Sequence, residues 1–176
     1  ITSDEALELK KLPKTIVLLG GGPTSVEMAY YFSNMGVKTA IIQRSRHLLD
    51  NNIDEDMSEV IEKSFRKKGI EIYTSADLKK FYKKESSKII EFRHENILKK
   101  IKTDEILLGF GRGPNINNLD LQKTGVKLDK NSVPVLNKYL QTSIKHIYVA
   151  GDSNDILGVV NVAVEHGRIA AENMFG

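Results

Sequence analysis

The sequence contains no cysteine. It therefore carries no disulfide framework and no thiolate metal site, and nothing within it performs thiol–disulfide chemistry. Long apolar runs are missing too, since no stretch approaches the ~18 consecutive apolar residues of a membrane-spanning helix. The opening residues Ile1 to Glu8 are acidic and lack the basic-then-apolar pattern of a secretory leader. Neither sign of charge dominates. The net charge is only +3, and the lysines are scattered, with short pairs such as Lys10-Lys11, Lys67-Lys68 and Lys99-Lys100. That is the pattern of a solvated surface rather than of a nucleic-acid-binding face. Internal repeats and low-complexity tracts are absent. His47, His94, His146 and His166 are dispersed, none with further ligands at metal-binding spacing, so no metal site is expected. Glu165 precedes His166, but adjacent helical residues do not face each other, and the two are not a catalytic dyad.

What is present is a chain of 176 residues, 40% hydrophobic and 28% charged, enough for one sizeable globular domain or two small ones. Thr15 to Leu19 is a short apolar run, the mark of a buried parallel strand. Gly20-Gly-Gly-Pro23 follows at once. A helical pattern then runs from Ser25 to Met35 and stops at Gly36, and Val37–Ile42 forms a second strand. Strand, glycine turn, helix and strand make a βαβ unit. Asp54 opens a second helix with Met57, Val60, Ile61, Ser64 and Phe65 on its inward face, closed by Lys67, Lys68 and Gly69. Ile70–Tyr73 is a third strand. The stretches 79–84, 88–94 and 96–102 alternate and are separated by turn residues, which predicts an antiparallel meander where a crossover helix is usual. Glu105–Leu108 returns to the parallel sheet. The Gly- and Pro-rich run Gly109–Asn115 marks a domain boundary. Beyond it, Val133–Val135 and His146–Ala150 read as strands. Val160–Phe175 reads as a helix packed through Val160, Ala163, Val164, Gly167 and Ala171.

The glycine turn reads Gly20-x-Gly22-x-x-Ser25, with Glu27 two residues on. In such a loop one glycine permits the sharp turn and the next admits a pyrophosphate. The third position needs a small side chain so that helix and strand can pack, which Ser25 satisfies in size. The helix N-terminus adds N–H groups and partial positive charge. An NAD site usually carries a carboxylate at the end of the second strand for the ribose 2′-hydroxyl. Here that position holds Gln43, followed by Arg44, Ser45, Arg46 and His47. Neutral Gln43 does not repel a 2′-phosphate, and Arg44 and Arg46 can pair with one. Strand alternation leaves open whether Arg44 faces the ligand or whether only Arg46 or His47 reaches it. NADP is therefore favoured over NAD.

Five motifs occur in order: Gly20-Gly-Gly-Pro-Thr-Ser-Val-Glu27, Ile42-Gln-Arg-Ser-Arg-His-Leu-Leu49, Gly111-Arg-Gly-Pro-Asn115, Tyr148-Val-Ala-Gly-Asp152 and Ala163-Val-Glu-His-Gly-Arg168. Together they resemble the class I pyridine nucleotide–disulfide oxidoreductases, whose members include dihydrolipoamide dehydrogenase, glutathione reductase and mercuric reductase. The resemblance covers essentially the whole chain. It implies an α/β fold: a Rossmann-like parallel sheet with helices and a three-stranded antiparallel meander, then a partial FAD-domain segment. The expected divisions are a hinge over 1–12, an NAD(P)-binding domain over 13–112 and the C-terminal part of an FAD domain over 113–176.

The resemblance also implies roles. Gly20, Gly22, Pro23, Thr24 and Ser25 would surround the NAD(P) pyrophosphate, Glu27 would lie near the nicotinamide carboxamide, and Gly111 would line the same cofactor. Gly151 and Asp152 would meet the flavin ribityl chain, where a carboxylate accepts from sugar hydroxyls. Backbone N–H groups from Val159 and Val160 to Val162 would face the flavin pyrimidine edge. Two departures stand out: Pro23 replaces a Tyr that covers the nicotinamide pocket in several relatives, and Val160 replaces a common Thr. The family's FAD glycine fingerprint, Cys-x4-Cys pair and dimerisation domain with its His-Glu pair have no counterpart here. The chain is thus expected to be a segment of a longer, homodimeric, cytoplasmic flavoenzyme, holding no catalytic residue and inactive alone. The alternative is a non-catalytic NAD(P)-sensing module, against which Gly151-Asp152 speaks.

Overall fold

A computed structural model describes residues 1–50 and 52–175. In chain order the elements are α1 (Ser3–Leu7), β1 (Thr15–Leu19), α2 (Pro23–Asn34), β2 (Lys38–Ile42), α3 (Glu55–Lys67), β3 (Glu71–Tyr73), β4 (Asp77–Lys84), β5 (Ser87–His94), β6 (Ile97–Thr103), β7 (Glu105–Leu108), α4 (Leu121–Thr124) and α5 (Val160–Phe175). The chain divides into two compact units, Ile1–Gly111 and Arg112 onward.

In the first unit β3, β2, β1 and β7 lie side by side in that order, all parallel. Consecutive apolar residues in β1 and β2 are buried on both faces, as the unbroken hydrophobic runs require. Strand alternation splits them. Ile16, Leu18, Ile41, Ile72 and Leu107 pack against Ala29 and Phe32 of α2 and Phe65 of α3. Val17, Leu19, Ala40, Ile42 and Ile106 pack instead against Ile90 and Phe92 of β5. The second face is covered by the antiparallel sheet β4-β5-β6, as the alternation across 79–102 predicts. Its hairpins turn at Glu85 and at Glu95-Asn96, the latter pair both at positive φ as a tight two-residue turn demands. The lead-in expected as a hinge carries α1, closed by a Thr2–Glu5 capping box, with Ala6 buried in the first core.

Two helical faces differ from the periodicity reading. On α3, Met57 and Val60 are 55% and 60% exposed, whereas Ser58 and Phe65 are buried. The Ser58 hydroxyl donates to the Leu48 carbonyl at 2.7 Å, and this bond turns Ser58 inward at the expense of its apolar neighbours. Asp54 occupies the N-cap of α3, but its side chain makes no capping bond. On α5, Val160 and Val164 are 77% and 69% exposed, and Gly167 and Ala171 are exposed with them. The inward face is His166 and Ala170, with Ala163 half-buried. Here too a polar contact decides the rotation, since His166 Nδ1 lies 3.1 Å from Asn154 Nδ2. The stretches 133–135 and 146–150 are not strands. They form only isolated bridges, Leu128 to Pro134 and Gln141 to Tyr148. Among the described residues no helix is long and apolar enough to cross a membrane.

The ends of β1 and β7 meet through their glycines. Gly20 has φ +108°, and a Cβ there would lie 2.1 Å from the Gly109 carbonyl oxygen. A Cβ at Gly109 would lie 1.9 Å from the Ser25 Oγ. Both contacts involve atoms that the sheet and α2 hold in place. Gly20→Ala is therefore expected to destabilise the chain by about 3 kcal/mol or more, read from the midpoint of denaturant unfolding at constant slope.

Candidate dinucleotide site

Parallel strands deliver their connecting loops to one edge, and ligands of open α/β sheets bind in the crevice outside the carboxyl ends. A cavity of about 940 Å³ occupies that edge in the first unit. One wall is the glycine turn, Gly20 to Pro23. A second is the end of β2, from Ile42 through Gln43, Arg44 and Ser45. A third is the segment Ser75 to Leu78 after β3, and a fourth is Gly109 to Gly111 after β7. Backbone hydrogen bonds tie these walls together. Gly20 donates to Ile42, Gly109 to Leu19, Ser75 to Ser45, Ala76 to Gln43 and Leu49 to Gly21, all at 2.8–2.9 Å.

The glycines of the turn do different jobs. Gly20 is required by conformation and by its contact with Gly109. At Gly21 a Cβ would meet the side chains of Gln43 and Leu48 at 2.9 Å. At Gly22 the φ is an ordinary −76°, and a Cβ would meet nothing within 4 Å. Protein packing and backbone conformation thus leave the choice of glycine at position 22 unexplained, and the space beside it is cavity. Gly22 is also the N-cap of α2, where no side chain caps the first turn and Pro23 fills the first position.

The expected site residues separate into groups. Gly20, Gly22, Pro23, Gln43, Arg44 and Gly111 line the cavity together. Thr24, Ser25, Glu27 and Arg46 do not. Ser25 is fully buried between α2 and Gly109, its Oγ without a partner, in the packing role that the third fingerprint position calls for. Glu27 is exposed. Arg46 lies with its guanidinium 3.5 Å from Glu55, and His47 Nε2 is 3.0 Å from the same carboxylate. Beyond Ile42 the strand has ended and alternation no longer applies: Arg44 lines the cavity, whereas Arg46 and His47 turn to Glu55. The Gln43 side-chain oxygen accepts from the Arg44 N–H at 3.1 Å. Ser45, Asn52, Ser75, Asp77 and Phe110 also line the cavity and were not anticipated. The neighbouring position of β3 beside β2 was the signal for Ser75 and Asp77, because adjacent parallel strands end side by side. Asp77 is paired with Lys79, which offsets its charge. Behind the β2 end, burial and the bond its hydroxyl donates to Glu71 push the Tyr73 pKa up to about 12, so this ring carries no charge near the site.

In the second unit, Gly151 has φ +66°, and a Cβ there would sit 3.2 Å from Ala163 of α5. Asp152 is exposed, with Arg112 3.7 Å from its carboxylate. Val159 donates its N–H to the Leu157 carbonyl at 3.0 Å, and Val160 and Val162 stand in the first turn of α5.

Comparison with known proteins bears on this arrangement. The family described as pyridine nucleotide-disulphide oxidoreductase matches residues 1–167. The chain belongs to that family. A dihydrolipoyl dehydrogenase of Buchnera aphidicola subsp. Acyrthosiphon pisum is 37% identical over 175 residues, covering 99% of this chain and 37% of its own length. The HOCl-induced flavoprotein disulfide reductase RclA from Escherichia coli superposes with a TM-score of 0.88 at 26% identity, over 100% of this chain and 39% of that one. An engineered water-forming NADPH oxidase bound to NADPH gives 0.80 at 25% identity, over 97% and 38% respectively. The chain therefore spans well under half the length of the relatives it matches.

Because the space beside Gly22 is open, Gly22→Ala is expected to leave the melting temperature within about 3 °C of wild type. The same substitution should weaken NADPH binding by about tenfold or more by blocking backbone approach, as read by calorimetric titration.

Proposed function

We propose that the first unit binds an NAD(P) dinucleotide along the carboxyl edge of its parallel sheet and orients it for a flavin held by the longer protein. The observation that carries this reading is Gly22, a glycine that neither strain nor packing requires, facing a cavity at the start of α2. The pyrophosphate would lie against Gly20–Gly22, within reach of the N-terminal N–H groups of α2. The adenosine ribose would lie at Gln43 to Ser45, and Gly111 would border the cofactor from the β7 side. When bound, the nicotinamide supplies the hydride; the chain's residues supply position and electrostatics.

The 2′-phosphate form is favoured. Gln43 brings no negative charge to the end of β2, and Arg44 reaches the cavity. In the engineered NADPH oxidase, three adjacent substitutions turn Asp-Ala-Met into Ala-Arg-Ser. That change removes a carboxylate and introduces the Arg-Ser order that Arg44-Ser45 has here. For the longer protein, the family supports an FAD-containing homodimeric oxidoreductase that passes the hydride from NAD(P)H to FAD and on to a disulfide or related acceptor. In it Gly151 and Asp152, with the start of α5, would meet the flavin.

The test is titration of NADPH and NADH into wild type and Arg44→Ala. NADPH is expected to bind about tenfold tighter than NADH in wild type, and Arg44→Ala should remove most of that difference while leaving NADH unaffected. Equal affinities in wild type, unchanged in the variant, would show that the basic stretch is ordinary surface.

A further inference from the structure

Outside the cavity, a group of titratable side chains that continues from the end of β2 is built against α3. Arg46 and His47 leave the β2 end immediately after Arg44 and Ser45 and converge on one atom. Arg46 Nη2 is 3.5 Å and His47 Nε2 is 3.0 Å from Glu55 Oε1. The Arg46–Glu55 pair is solvent-exposed, whereas the His47 side chain is only 13% exposed and faces a second carboxylate, Glu62, itself 12% exposed. Glu62 Oε1 accepts the Leu48 N–H at 2.9 Å and lies 3.6 Å from His47 Nδ1, which is buried and has no hydrogen-bond partner. Arg66 stands beyond, 3.8 Å from the other Glu62 oxygen.

We infer that Glu55 is a specificity-determining residue: with His47 as a second partner on the same carboxylate oxygen, it holds Arg46 back from the cofactor's 2′-phosphate. The inference rests on the cofactor reading above. Two donors compete for one carboxylate oxygen. Arg46 is two residues from Arg44 on the same loop, so a released guanidinium adds a second cation near the ribose. Preference for the phosphorylated cofactor should therefore rise when position 55 no longer carries a charge to hold Arg46. Exposed ion pairs are individually weak, which limits the effect to about two- to fivefold in the affinity ratio.

The experiment measures dissociation constants of the oxidised cofactors, NADP⁺ and NAD⁺, for the 176-residue chain at pH 8. At pH 8, Glu55→Gln is expected to raise the NADP⁺ preference about two- to fivefold, and the Glu55→Gln, Arg46→Ala double variant should return it to the level of Arg46→Ala alone. Glu55 is more than half exposed, so its replacement leaves the core intact. An unchanged ratio in Glu55→Gln, or a gain that persists without Arg46, overturns the inference while leaving the cofactor site in place. Failure of wild type to bind either dinucleotide overturns both.

Discussion

The contact on which the rest of the first unit depends is backbone against backbone, Gly20 on Gly109. It brings the turn after β1 within touching distance of the turn after β7, and Ser25 of α2 closes over Gly109 from above. No side chain fits at either glycine, so the loops at the centre of the sheet are drawn together and the open space lies to one side. The remaining walls follow from the hydrogen bonds that join the β2 and β3 ends to one another and to the glycine turn. A cavity walled in this way is held by main chain rather than by flexible side chains, which keeps its shape preorganised. The cost is visible in Ser25, whose buried hydroxyl has no partner. Its size suits the contact, and its polarity is unused.

Much of this architecture was legible because it rests on simple periodicities. The apolar run Thr15–Leu19 marked a buried parallel strand and Val37–Ile42 a second strand, and the alternation across 79–102 marked an antiparallel meander. Helix existence was legible, but helix rotation was not. On α3 and α5 the inward face was assigned from apolar spacing, yet in both cases one polar contact outweighs a methyl-rich alternative: Ser58 to Leu48, and His166 to Asn154. A buried polar group without a partner costs more than an exposed valine, so the polar pair wins. The stretches 133–135 and 146–150 have strand composition but pair at single points, and composition alone does not supply a neighbouring strand.

The site was legible where the glycine fingerprint and the strand end specify it, and less so in the loops. Gly20, Gly22, Gln43, Arg44 and Gly111 line one cavity. Arg46 was grouped with Arg44 because both are cations two residues apart. Beyond the last residue of β2 the strand alternation that would put them on one side no longer holds, and Glu55, further along the chain on α3, captures the second. Ser75, Asp77 and Phe110 were missed because loop residues carry no periodic signal, although the order of the strands brings their loops to the same edge.

The central claim is that the carboxyl edge of the parallel sheet, walled by main chain around Gly20 and Gly109, is a dinucleotide site. The most direct measurement is a two-dimensional amide NMR titration of the ¹⁵N-labelled chain with NADPH. The account predicts saturable shifts concentrated at the amides of Gly21, Gly22, Arg44, Ser75 and Gly111, which border the cavity. Little change is expected at Lys100 to Thr103, which line a smaller cavity of about 250 Å³ between the meander and the other end of the sheet. Shifts centred on that second cavity, or none at the glycine turn at saturating cofactor, would contradict it.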